Sequence, residues 1–107
     1  METIDRESLR LKMGGADDLV LVEVLPKESY DEFHIPGAIN VPVGSDAFDE
    51  RIQAAADKDD EVVVYCKDKN CDASPRAARR MEKLGFTKVF DYEAGKQDWR
   101  GAGLPVE

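Results

Sequence analysis

Histidine and tryptophan each occur once in this chain and cysteine only twice, and these scarcities exclude several function classes. Two cysteines and one remote histidine cannot supply the four ligands of a zinc site. Cys66 and Cys71 are separated by four residues and make no disulfide framework; they belong to one local event in one loop. Basic residues are also in deficit, 15 against 23 acidic ones, for a formal charge of −8. Such a surface disfavours non-specific binding to nucleic acid or to an anionic membrane, and it offers no long-range attraction to a small dianion. No apolar run approaches the roughly 20 residues that span a bilayer. Met1 to Arg6 show neither a basic n-region nor an apolar h-region. The expectation is a soluble, cytoplasmic protein with no cofactor or metal and no nucleic-acid or membrane partner.

What is present fits one domain over residues 1–107, large enough to bury a core without staples. Thr3-Ile4 reads as a short edge strand, and Asp5 to Met13 as a helix stopped by Gly14-Gly15. Leu19 to Val24 is a nearly continuous apolar run, the pattern of a strand buried on both faces, closed by Pro26. Lys27 to Phe33 forms a short helix with Tyr30 and Phe33 on one face, and Ala38 to Val41 a short strand. Ser45 or Asp46 then caps a helix whose apolar positions are Phe48, Ile52, Ala55 and Ala56. Glu61 to Tyr65, Lys88 to Phe90 and a helical turn from Lys96 to Arg100 complete the series. Strands alternating with helices predict an α/β fold with a parallel sheet covered on both faces.

The chemistry concentrates where Val62 to Tyr65 runs into Cys66. Ser74 reads as the N-cap and Pro75 as the first residue of a helix that closes at Gly85, with Ala77, Ala78, Met81 and Leu84 as its apolar face. A thiol between a strand end and a helix N-terminus faces unpaired amides and a positive dipole end, which stabilise a thiolate or a bound anion. Within the loop Lys67 and Lys69 are offset by Asp68 and Asp72, with Asn70 neutral. The backbone amides from Lys67 to Ala73 are therefore expected to hold the anion, with Arg76 the nearest further cation. His34 lies in a Pro-Gly turn, and Trp99 reads as core.

Glu28-Ser29-Tyr30, Phe33 to Pro42, Val62 to Cys66, Ser74 with Ala77-Ala78, Leu84-Gly85-Phe86, Val89, Gly95, Trp99 and Ala102 to Val106 together resemble the rhodanese homology domain. The resemblance runs from about Thr3 to Glu107. It implies a three-layer fold with a central five-stranded parallel sheet, and an active-site loop that begins with a catalytic cysteine. Matching the helix from Ser74 to Gly85 assigns that cysteine to Cys66, with a longer loop than the family's usual one. Cys71 to Arg76 also spells Cys-x4-Arg, a common form of the loop, but that alignment puts Arg76 inside the helix. Cys71 is thus the alternative nucleophile, a resolving thiol, or a plain loop residue. The chain departs from the family at Glu23-Val24-Leu25, which keeps an acid and lacks an arginine, and at Ala94-Gly95, which replaces a glycine pair.

The resemblance implies a sulfurtransferase. Cys66 takes a sulfane sulfur from thiosulfate or a persulfide, and a small thiol, a protein thiol or cyanide removes it. The substrate loop would be Lys67, Asp68, Lys69, Asn70, Asp72, Ala73, Ser74 and Arg76. A rhodanese-fold binding or redox-regulatory module without turnover is the alternative. Phosphatase or arsenate-reductase chemistry ranks last, because it needs Cys-x5-Arg and Cys66 to Arg76 is far longer.

Overall fold

A computed structural model describes residues 1–15 and 19–107. Its strands are β1 (Glu2–Ile4), β2 (Val20–Glu23), β3 (Ile39–Asn40), β4 (Glu61–Tyr65) and β5 (Lys88–Tyr92). Its helices are α1 (Arg6–Gly14), α2 (Lys27–Glu32), α3 (Phe48–Ala55), α4 (Ala73–Lys83) and α5 (Gly95–Gly101). The strands make one five-stranded sheet in the order β1-β5-β4-β2-β3, with every pairing parallel.

The alternation of the central strand β4 builds the layers. Val62 and Val64 pack with Phe48 and Ile52 of α3 and with Ala77, Ala78 and Met81 of α4. Val63 and Tyr65 point the other way, into a second cluster with Leu9 of α1, Tyr92 and Trp99. All four β4 residues from Val62 to Tyr65 are 0% exposed. At about 1.5–3 kcal/mol for each fully buried valine-sized side chain, this strand anchors whatever follows it. Cys66 is the next residue.

Helix ends follow local chemistry. The Asp5 carboxylate caps α1 by accepting from the Ser8 N–H at 2.8 Å. α4 ends in a Schellman motif: the Gly85 N–H donates to Glu82 O at 3.0 Å and the Phe86 N–H to Met81 O at 3.1 Å. Gly85 at φ +102 supplies the left-handed residue this motif needs.

Several expected boundaries move. α4 begins at Ala73 with Asp72 at its N-cap, so Ser74 is not the cap and Pro75 is not the first helical residue. Ser74 is drawn into the first turn because its side chain is buried, at 1% exposure. Pro75 is still tolerated there, since first-turn N–H groups have no intrahelical acceptor. Ala55 is exposed and does not belong to the α3 apolar face. Neither Ser45 nor Asp46 caps α3: Ala47 is the N-cap, without a side-chain cap, and Ser45 Oγ instead accepts from the Ala47 N–H at 3.1 Å in the preceding turn. β3 is shorter than expected and β5 longer, reaching Asp91 and Tyr92; Phe33 has left α2 for extended backbone.

Candidate active site

Cys66 lies at the carboxyl end of β4, where ligands of open parallel sheets bind. Its thiol donates to Ser74 Oγ at 3.4 Å and makes a longer contact, 3.6 Å, to the Cys71 carbonyl. Strand end, loop and first turn of α4 therefore meet at one sulfur atom.

That sulfur is not the ready thiolate expected from its place in the chain. Cys66 is 1% exposed. Burial, reinforced by the Cys71 side chain beside it, pushes the thiol up from 9.0 to about 11, against the opposing pull of Ser74. At pH 7 such a thiol is ionised in only about one molecule in ten thousand. Desolvation outweighs the helix end here.

The loop itself is partly committed. Asp68 Oδ1 accepts from the Asn70 N–H at 3.0 Å, and Asp68 O from the Cys71 N–H at 3.1 Å. Two of the amides expected to hold a substrate anion thus already serve Asp68. Lys67, Lys69 and Asn70 are exposed, and Cys71 is half-buried. Ala73, expected in the loop, belongs to α4. Arg76 is not delivered to the thiol as a free cation. It is exposed, sits 3.9 Å from Asp72, and lines a shallow groove with Asp49 and Arg80.

The loop is held from behind by α5. Lys96 N–H donates to Cys66 O at 3.0 Å and Gln97 N–H to Lys67 O at 2.9 Å. Gly95, at φ +76, lets the two segments touch, because a Cβ there would stand 2.5 Å from Lys67 C and O. The Lys96 side chain turns inward and is buried. Its Nζ donates to Glu23 Oε2 at 3.0 Å and to the Ser29 and Phe33 carbonyls, each at 2.7 Å. Tyr65 OH donates to the other Glu23 oxygen at 2.9 Å and accepts from the Ile35 N–H at 3.1 Å. Burial and the Glu23 carboxylate hold the Tyr65 phenol well above its usual range, so it acts as a neutral donor. Lys96 thus brings a cation to Glu23 from the other end of the chain.

A groove of about 470 Å³ opens beside the loop, lined by Ser29, Phe33, Lys67, Gln97 and Arg100 among others. Cys66 does not line it. The His34 ring stacks on Tyr30 at 3.8 Å, Nδ1 contacts Tyr30 O at 2.9 Å, and its backbone pairs with Glu107 in both directions. Trp99 is buried in the core, and its indole N–H donates to Pro105 O at 2.8 Å.

Reading from sequence missed Lys96 and Asp91. Lys96 carried a signal, since it stands three positions before Trp99 and shares its inward helix face. Asp91 stands two positions after Val89, on the same face of β5, and was lost because the strand was ended one residue short of it.

Among the described residues no helix is long and apolar enough to cross a membrane, and no cluster of metal-ligating side chains occurs. The HTH-type transcriptional regulator Rv0324 of Mycobacterium tuberculosis is 38% identical over 106 residues, covering 99% of this chain and 45% of that protein. A sulfurtransferase of Allochromatium vinosum is 26% identical over 103 residues, covering 96% of this chain and 92% of its own length. The chain spans about half the length of the first curated relatives it matches. The crystal structure of a thiosulfate sulfurtransferase from Pseudomonas aeruginosa superposes with a TM-score of 0.86 at 23% identity, over 99% of this chain and 20% of that one. The family model of the Rhodanese-like domain matches residues 5–102. With the parallel sheet and the cysteine loop at its carboxyl edge, this match makes the chain a member of the rhodanese-like domain family.

Proposed function

We propose that this domain moves a sulfane sulfur through a persulfide on Cys66. The observation that carries the reading is the convergence on one sulfur: Cys66 Sγ, at the end of β4, stands 3.4 Å from Ser74 Oγ in the first turn of α4. Relatives named as sulfurtransferases support the class of chemistry. The Cys66 thiolate attacks the outer sulfur of the donor, and the donor's S–S bond breaks. Sulfite leaves when the donor is thiosulfate, and a thiolate leaves when it is a persulfide. A small thiol, a protein thiol or cyanide then attacks the outer sulfur of the Cys66 persulfide and regenerates the thiolate.

At 1% exposure, Cys66 meets a donor only when the loop from Lys67 to Asp72 moves aside. Once it does, the freed amides and the positive end of α4 receive the developing negative charge. Cys71, half-buried on the same loop, would attack the outer sulfur or close a disulfide with an oxidised Cys66. The buried, high-pKa thiol favours one second reading, a module that binds a protein partner without turnover.

Wild type, Cys66→Ser and Cys71→Ser, incubated with thiosulfate or glutathione persulfide and then cyanide, separate these readings by thiocyanate release and by the added mass of one sulfur. Loading is expected in wild type and Cys71→Ser and absent in Cys66→Ser. Loading that persists in Cys66→Ser but vanishes in Cys71→Ser overturns the assignment. No loading from either donor leaves the binding module.

A further inference from the structure

The groove beside the cysteine loop is lined by charges that the chemistry above leaves unused: Lys67 from the loop, Arg100 from the last turn of α5 and Glu32 from the end of α2. All three are exposed, and none joins an ion pair among the described residues. Lys96 also lines the groove, but its Nζ is taken by Glu23 and by the Ser29 and Phe33 carbonyls. In a chain of net charge −8, two open cations against one carboxylate give this spot the sign opposite to the rest of the molecule.

Arg100 is also held in place. Its Cζ stands 3.9 Å over the Phe33 ring, and its Nη2 donates to Gln97 Oε1 at 3.2 Å. A guanidinium stacked on a ring keeps N–H edges for a carboxylate, which it grips bidentately. Phe33 itself is buried, so the groove presents charged and polar side chains to a ligand and little apolar surface. Lys67 ties this surface to the chemistry. It follows Cys66 directly, about 3.8 Å away from Cα to Cα, and its carbonyl accepts from the Gln97 N–H at 2.9 Å.

We propose that this groove seats the sulfur acceptor, a low-molecular peptide thiol that carries two carboxylates and one ammonium. The carboxylates pair with Arg100 and Lys67 and the ammonium with Glu32, so every open charge of the groove meets its opposite. The volume of about 470 Å³ falls within the roughly 300–1,000 Å³ of small-molecule sites. The inference rests on the proposed Cys66 persulfide and gives the acceptor a seat separate from the loop amides that receive the donor. Once the loop has moved, the acceptor thiolate attacks the outer sulfur of that persulfide. An S–S bond to the acceptor forms as the bond from Cys66 Sγ breaks, and Cys66 leaves as a thiolate. The acceptor's thiol proton goes to solvent. One sulfur atom passes from thiol to thiol, and no external oxidant or reductant takes part.

Glutathione has this charge pattern, and S-methylglutathione keeps it without a thiol, so binding is read apart from chemistry. Titrated into the domain and followed by amide NMR, S-methylglutathione is expected to shift Lys67, Gln97 and Arg100 and to saturate with a Kd on the order of 1 mM, the weak end of the affinity scale. Arg100→Gln should weaken it on the order of tenfold, and Lys67→Gln or Glu32→Gln about three- to fivefold, as bidentate and simple exposed ion pairs differ. Arg100→Lys, which keeps the charge and loses the planar fork, should fall between wild type and Arg100→Gln. In single-turnover transfer from the sulfur-loaded domain, the preference for glutathione over 2-mercaptoethanol should fall by the same factors. Unfolding midpoints confirm that each variant is folded. Absence of a saturable shift at the groove, or an affinity unmoved by both Arg100→Gln and Lys67→Gln, overturns the seat even where Cys66 loads with sulfur. A preference unmoved by Arg100→Gln overturns the acceptor role. Binding as expected in a domain whose Cys66 never loads overturns the transferase reading instead and leaves the groove as a site for the peptide.

Discussion

Replacing Gly95 by alanine puts the contact between α5 and the cysteine loop under direct strain. Two costs add. Gly95 sits at φ +76, where a side chain costs about 1–2 kcal/mol. The new Cβ would also stand 2.5 Å from Lys67 C and O and 2.7 Å from Asp68 N, atoms of backbone that cannot swing away as a side-chain tip does. Forcing such a contact costs about 1–3 kcal/mol more. The sum, about 2–5 kcal/mol, is a large part of the roughly 5–15 kcal/mol that holds a domain together. It corresponds to a fall in Tm on the order of 10 °C or more. Gly37→Ala is the control, because Gly37 has a similar φ of +87 and nothing within 4 Å of its would-be Cβ; it should lose only the first term. Urea unfolding measures both variants, and sulfur loading of the folded fraction shows whether the loop has shifted. Gly95→Ala within about 0.5 kcal/mol of wild type, or no worse than Gly37→Ala, would refute the reasoning.

Lys96→Met should destabilise by about 3–5 kcal/mol, because it leaves Glu23 charged and buried without its cation. Adding Glu23→Gln should recover much of that loss in chemical denaturation; a neutral single variant would show that the pair holds little. Asp91→Asn should stabilise the fold at neutral pH and not at low pH. Burial raises the Asp91 pKa in the folded state above 3.8, so the folded chain binds this proton more tightly, and stability falls as pH rises above that value. The advantage of asparagine should therefore vanish below about pH 3.8 and grow upward from there, as read by unfolding midpoints across pH. A difference independent of pH would contradict it.

Most of the architecture was legible because the layers depend on periodicity alone. Val62 to Tyr65 announced a buried strand, and Gly85 fixed the end of α4 through the one residue that accepts its φ of +102. The start of α4 was misread for a physical reason. Ser74 and Pro75 have the chemistry of a helix entrance, but Ser74 is used as a buried partner of Cys66, and the helix extends one turn edge further to enclose it. The state of the thiol was equally out of reach. Sequence places Cys66 near a dipole that lowers its pKa, whereas only three dimensions show the burial that raises it to about 11. Lys96 and Glu23 lie 73 residues apart, and no local pattern links them.

Asp68 gives the loop a shape before any substrate arrives. Its carboxylate and carbonyl hold the Asn70 and Cys71 amides, so the chain would contain its own tethered competitor for the proposed anion seat. Part of the ordering cost that a floppy loop would charge to its ligand is already met within the fold. In the proposed transfer an incoming anion would have to displace a carboxylate that never diffuses away, whereas an uncharged sulfur donor would face no such rival. In the proposed sulfur transfer the loop would thereby rank donors by charge before chemistry begins.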